Sequence, residues 1–195
     1  MTDPSDSART RPVDYLRTRA ASLDAPRIRA RVRAAGLELE AALSGMGEGD
    51  VRRAVRPGEW TVAQVVDHVA QSTVRAAEEL RHLLAGRRPP GPPVYEGLLS
   101  GAAHRVPWPE LMEGLRQAKA ELDAVLAEIA HRPPPDDGGP TVPTILTTGA
   151  PDAGGGVELV AVELGWREYA LVQRLHFLDH REQIRGLRRA LGVPA

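Results

Sequence analysis

Apolar residues recur every three or four positions in four long stretches of the chain, the spacing of helices that bury one face. The first stretch covers residues 26–46, with Ile28, Val32, Leu39 and Leu43 on one side. Asp24 is placed to cap it, Pro26 is tolerated in its first turn, and Gly45, Gly47 and Gly49 end it. The second follows a Pro57-Gly58 turn, where Thr61 and Gln64 form a capping-box pattern. It runs to Leu84 and stops at Gly86, before the helix-forbidding RRPPGPP. The third spans 108–130, with Leu111, Leu115, Ala118, Leu122, Val125 and Ile129 in line. The fourth spans 166–191. A short helix is expected over 13–22, and 94–105 reads as loop with one helical turn. Residues 132–164 stay ambiguous. TVPTILTT and VELVAVEL have β character, separated by GAPDAGGG; they fit a short hairpin or an extended loop, and Pro143 argues against a central strand. Four long helices with long connections predict an all-α four-helix bundle with a long irregular connection before the last helix. The expected organisation is a partly disordered extension over 1–25 and one bundle domain over 26–195.

The fourth stretch carries the chemistry. His176 and His180 lie four residues apart, so they share a helix face. At 100° per residue, Tyr169, Val172, Gln183, Leu187 and Ala190 fall within roughly 40° of His176, while Arg167, Arg174, Arg181, Arg185 and Arg189 fall opposite. The pair therefore points inward. Buried neutral imidazoles need partners; two readings stay open, core histidines bonded to neighbouring polar groups, or ligands of one metal ion.

Composition narrows the choice. The 195 residues suffice for one domain with a substantial core, and 42% are apolar. The polar start MTDPSDSARTRP has no apolar signal segment, and no apolar run reaches bilayer length, so a cytoplasmic protein without membrane association is expected. Net charge is −1 with acids and bases mixed and aromatics at 4%, which argues against nucleic-acid binding. With no cysteine, thiolate zinc sites, disulfides and cysteine nucleophiles are excluded. A metal would need His, Asp, Glu or water.

The third ligand candidate is His68, on the second helix. It lies roughly 100° from the centre of the stripe formed by Val62, Val65, Val69, Ala76, Leu80 and Leu83, at the border of the buried face. As a lone residue it would read as a partly exposed polar side chain. His82, His104 and His131 are read as structural or solvated. Asp67 and Asp179 adjoin the candidates in sequence but point elsewhere on their helices, and are read as solvated.

Two segments resemble a known family. PGEWTVAQVVDHVAQ looks like the first signature of the DinB/YfiT-like superfamily, a turn that opens a helix bearing a histidine eight residues after the tryptophan, as His68 follows Trp60. LGWREYALVQRLHFLDHREQIRGL looks like the second, with His176, His180, Gln183 and Ile184 in place. The resemblance spans roughly residues 27–191. It implies a four-helix bundle in up-down-down-up order and a metal held by His68, His176 and His180, zinc or nickel being usual, and often a homodimer. Related bacterial proteins include mycothiol-dependent maleylpyruvate isomerases and the mycothiol and bacillithiol S-transferases. The long, glycine-rich 132–164 segment departs from the pattern. A DNA polymerase that shares the family name is unrelated in fold.

Three histidines without cysteine match an open, catalytic type of site. The expected function is a metal-dependent transferase acting with a low-molecular-weight thiol such as mycothiol, or a small hydrolase, on a small-molecule substrate. Gln183, one turn beyond His180, is the candidate catalytic residue, a donor to bound water or anion. No carboxylate stands beside the pair as the glutamate of a His-Glu-x-x-His motif does. The alternatives are a non-enzymatic ligand- or partner-binding bundle whose histidines are polar core, and a structural metal staple completed by Glu158 or Glu163.

Overall fold

The computed structural model describes residues 4–93, 98–135, 138–148 and 158–193. The GAPDAGGG segment and the start of the 94–105 loop lie outside the described residues. The chain is mostly helical: α1 (Pro4–Ala21), α2 (Ala25–Ala42), α3 (Glu48–Val51), α4 (Val62–Leu84), a 3₁₀ turn (Ala102–His104), α5 (Trp108–His131), strands β1 (Val142–Thr148) and β2 (Glu158–Leu164), and α6 (Trp166–Leu191). Among the described residues no helix is long and apolar enough to cross a membrane.

The helix ends follow local chemistry. The Asp24 carboxylate accepts the Arg27 N–H at 2.9 Å and caps α2. Thr61 and Gln64 cap each other's backbone at the start of α4, at 2.9 and 3.2 Å. Gly192 adopts φ +69° past the end of α6, a left-handed conformation that glycine takes without Cβ strain. Two helices differ from expectation. α1 is longer than the 13–22 segment and buries Leu16 and Ala20 in the main core. α2 ends at Ala42, four residues early, and the glycine-rich run beyond it includes the short α3.

The all-α expectation with an irregular connection before the last helix is corrected. β1 and β2 pair antiparallel, Val142 opposite Leu164 and Thr144 opposite Val162. The β-branched residues of both segments suit a pleated ribbon. Pro143 does not prevent it, because in a two-stranded sheet each strand is an edge, where proline is tolerated. Val142 and Leu164 are buried in the main core and fasten the base of the hairpin.

α4 packs on α5, α2 on α6, α2 on α5 and α4 on α6. Polar contacts give the directions. Arg29 meets Asp123 and Glu40 meets Arg116 and Lys119, so α2 and α5 are antiparallel. Arg167 donates to the Leu23 carbonyl, and Arg188 to those of Ala42 and Ser44, so α2 and α6 are parallel. Tyr169 meets Glu79 while the α6 histidines meet His68, so α4 and α6 are antiparallel. Ile28, Val32 and Leu39 of α2, Val65, Val69 and Leu80 of α4, and Leu115, Leu122 and Ile129 of α5 are at most 2% exposed and form one continuous core.

α4 and α6 each carry a second, polar stripe. On α4 it reads His68, Ser72, Arg75, Glu79, His82; on α6 it reads Tyr169, Gln173, His176, His180, Gln183. Both step by four, three, four and three residues, which keeps each stripe on one helix face. The two stripes meet at their histidines and at the Glu79–Tyr169 pair.

Candidate metal centre

His68 stands two turns into α4, its position set by the Thr61 cap and the preceding turn, where Gly58 takes φ +82°. Trp60, in that turn, packs its ring on the imidazole with centroids 5.0 Å apart. Across the seam His176 and His180 come from successive turns of α6, 4.4 Å apart by centroid. His68 is 5.0 Å from His176 and 4.9 Å from His180. One ligand nitrogen from each ring lies within 4.8 Å of the others. Ligands about 2.0–2.1 Å from one tetrahedral ion stand about 3.4 Å apart, so modest ring rotations bring these nitrogens to bonding positions.

Hydrogen bonds assign the nitrogens. His68 Nδ1 lies 3.1 Å from the Leu98 carbonyl, which can only accept, so Nδ1 carries the proton. The Ser72 hydroxyl is 3.5 Å from the same nitrogen. His180 Nδ1 lies 2.7 Å from Gln183 Oε1 and donates to it. In both neutral rings Nε2 then keeps its lone pair for a ligand. His176 Nε2 is buried with no hydrogen-bond partner. Leaving such an atom unpaired costs about 1–3 kcal/mol, and a cation is the partner this nitrogen chemistry fits.

Electrostatics keep the rings neutral. Burial, with the neighbouring His180 and His68, pushes the His176 imidazole down to about 3. Burial and His180 lower His68, partly opposed by Leu98 and Asp67. Burial lowers His180, partly opposed by the Gln183 hydrogen bond. Neutral imidazole is the ligating form.

The other candidates separate cleanly. Gln183 is exposed and directs its amide oxygen at His180. Asp179 is exposed, as read from its helix position, and so are His104 and His131. The Nδ1 of His82 is buried without a partner. Asp67 is corrected: it is 2% exposed and accepts two hydrogen bonds from Ser100. Its partner lies in a loop 33 residues away, which a helix projection does not reveal. Glu163 is engaged by Arg88 and Thr141. Among the described residues, the group of side chains close enough to share an ion is the three histidines.

Sequence reasoning missed a second buried polar group on this seam. Glu79 is 8% exposed, accepts from the Tyr169 hydroxyl and pairs with Arg75 at 2.8 Å. Burial and the Glu79 carboxylate push the Tyr169 phenol well above its usual range. The 4-3-4-3 spacing of polar residues on α4 was the available signal.

The family model described as the DinB superfamily matches residues 13–163. The match contains His68 and ends before α6, so the convergence of His176 and His180 on it comes from the structure. No curated protein and no solved structure matches the chain.

Proposed function

The chain belongs to the DinB superfamily, and from that membership we propose that it is a metal-dependent enzyme, a transferase acting with a low-molecular-weight thiol such as mycothiol or a small hydrolase. The observation that carries this is the meeting of three neutral imidazoles from two helices, with ligand nitrogens within 4.8 Å of one another. His68, His176 and His180 hold zinc or nickel. A divalent ion held by these three histidines would supply Lewis acidity to the substrate's reacting group.

The protein's own groups prepare that site. Leu98 and Gln183 accept the Nδ1 protons of His68 and His180 and so fix both ring orientations. Gln183 serves the centre through His180, a positioning role in place of the direct contact expected from sequence. Trp60 walls one side of His68.

The wider arrangement is a four-helix bundle of α2, α4, α5 and α6 in up-down-down-up order. The antiparallel α2–α5 and α4–α6 contacts and the parallel α2–α6 contacts support it. Residues 26–195 make up the bundle domain and 1–25 precede it, with Leu16 and Ala20 of α1 joining its core. The protein works in the cytoplasm as a homodimer on a small molecule, a reading that follows the family.

Metal analysis of protein purified without a histidine tag tests the proposal. Near-stoichiometric zinc or nickel, lost in His176→Ala, is the expected result, and a screen of thiol co-substrates against hydrolysis then separates the two reactions. Protein that neither retains nor takes up metal, and that is indifferent to His68→Gln, would make the histidines polar core in a non-enzymatic bundle.

A further inference from the structure

Asp67 and His68 are neighbours on α4, and consecutive helical residues project about 100° apart. Both nevertheless reach the same short piece of chain. Asp67 Oδ1 accepts the Ser100 hydroxyl at 2.7 Å, and Oδ2 accepts the Ser100 N–H at 3.1 Å. His68 Nδ1 donates to the Leu98 carbonyl at 3.1 Å. The Ser100 hydroxyl oxygen also accepts the Ala102 N–H at 3.1 Å, which ties the anchor to the following 3₁₀ turn. A single residue thus donates to both carboxylate oxygens of Asp67, a residue that is 2% exposed.

Besides Asp67 and His68, Arg105 reaches the segment, donating to the Ser100 carbonyl at 3.5 Å. Leu99 is 41% exposed and Ser100 is exposed. Burying a carboxylate is costly unless its oxygens are paired, so the clamp has to be made well to be made at all. The carbonyl that sets the His68 tautomer therefore sits two residues from Ser100, which the buried Asp67 carboxylate holds.

We infer that Asp67 is a positioning residue for the metal centre: by clamping Ser100 it seats the Leu98 carbonyl against His68 Nδ1 and holds the ring in the tautomer that ligates through Nε2. The consequence for metal affinity rests on the function proposed above; the clamp and the tautomer do not. Coupling of this kind is reciprocal. An ion that favours one tautomer of His68 also favours the docked segment, so metal binding protects the Ser100 amide from exchange.

The test uses the full chain with ¹⁵N-labelled histidine. In the metal-free protein, long-range ¹H–¹⁵N spectra report the His68 tautomer, its signal identified by loss in His68→Gln. The wild type is expected to carry the proton on Nδ1, and Asp67→Ala to show mixed tautomers and faster exchange of the Ser100 amide. Titration with Co²⁺ is expected to show about tenfold weaker binding in Asp67→Ala, in the range that outer partners of ligands contribute. Ser100→Ala keeps the backbone half of the clamp and should fall between the two; at an exposed position it also serves if Asp67→Ala does not fold. An unchanged His68 tautomer and unchanged Ser100 exchange in the variant that folds would overturn the inference. Failure of the wild type to bind Co²⁺ would instead sink the proposed function, with the tautomer and exchange measurements still deciding the role of Asp67.

Discussion

The α2–α5 seam and the histidine end of the α4–α6 seam both place polar groups between helices, and they resolve them in opposite ways. On the first, Arg29 makes two 2.8 Å bonds to Asp123, and Glu40 takes Lys119 and Arg116 at 2.6 Å each. Each charge there has an opposite charge within the chain. On the second, three groups of one kind face each other, none able to neutralise another, and one nitrogen is left buried and unpaired. Polar groups that satisfy one another hold a fold together. Polar groups that converge and remain unsatisfied cost stability, and a bound guest would repay that cost.

The largest effect should come from deleting a ligand. His176→Ala is expected to abolish metal retention, by more than the ten- to hundredfold that loss of an outer partner causes, with the fold intact by circular dichroism. If metal content survives, the two seams do not differ in kind. Gln183→Ala is the next step down. It removes the acceptor for His180 Nδ1, and competition titration should show affinity reduced about tenfold. On the other seam, Glu40→Ala leaves Lys119 unpaired and should lower stability by about 1 kcal/mol in chemical denaturation, without changing metal content.

Acid should weaken the α2–α5 seam in addition to the histidine cluster, whose imidazoles burial holds below their usual range and which therefore already loses stability as pH falls below about 6.5. The Arg29 hydrogen bond holds the Asp123 carboxyl below its usual range. Burial alone would raise the Glu40 carboxyl, but Lys119 and Arg116 outweigh it and hold it below as well. Both folded values lie under the unfolded ones, so the unfolded chain binds more protons as pH falls. The stability these groups contribute is present above about pH 4.5 and is lost as pH drops through their folded values. Thermal melts from pH 5 to 3 should show a slope that flattens in Asp123→Asn combined with Glu40→Gln. The smallest signal is optical: Ni²⁺ or Co²⁺ loading should partly quench tryptophan fluorescence, and Trp60→Phe should remove most of that quenching, because its ring touches His68.

The contrast between the seams was only half legible in the sequence. The pair on α6 could be read because i, i+4 spacing and the arginine-rich opposite face fix its direction from local periodicity alone. The bounds of α6 and the caps of α2 and α4 were equally local. The hairpin was left open, because a β-branched segment containing proline fits both a ribbon and an extended loop until its partner is known. Asp67 was misread for the same reason on a larger scale. Its environment is made by Ser100, and a projection of α4 cannot contain a residue from another part of the chain. The α2–α5 ion pairs likewise join residues 94 and 79 positions apart.

The matching 4-3-4-3 polar stripes on α4 and α6 have a mechanical implication. Two antiparallel rods with teeth at the same interval can slip by one notch, about 5.4 Å along the axis, and still mesh. Leucines and valines would tolerate such a slip far better than a cation that demands three nitrogens at one point. An ion bound by the three histidines would act as a dowel, fixing how far α6 is drawn along α4 and, through Tyr169 and Glu79, the alignment of the seam well beyond the histidines.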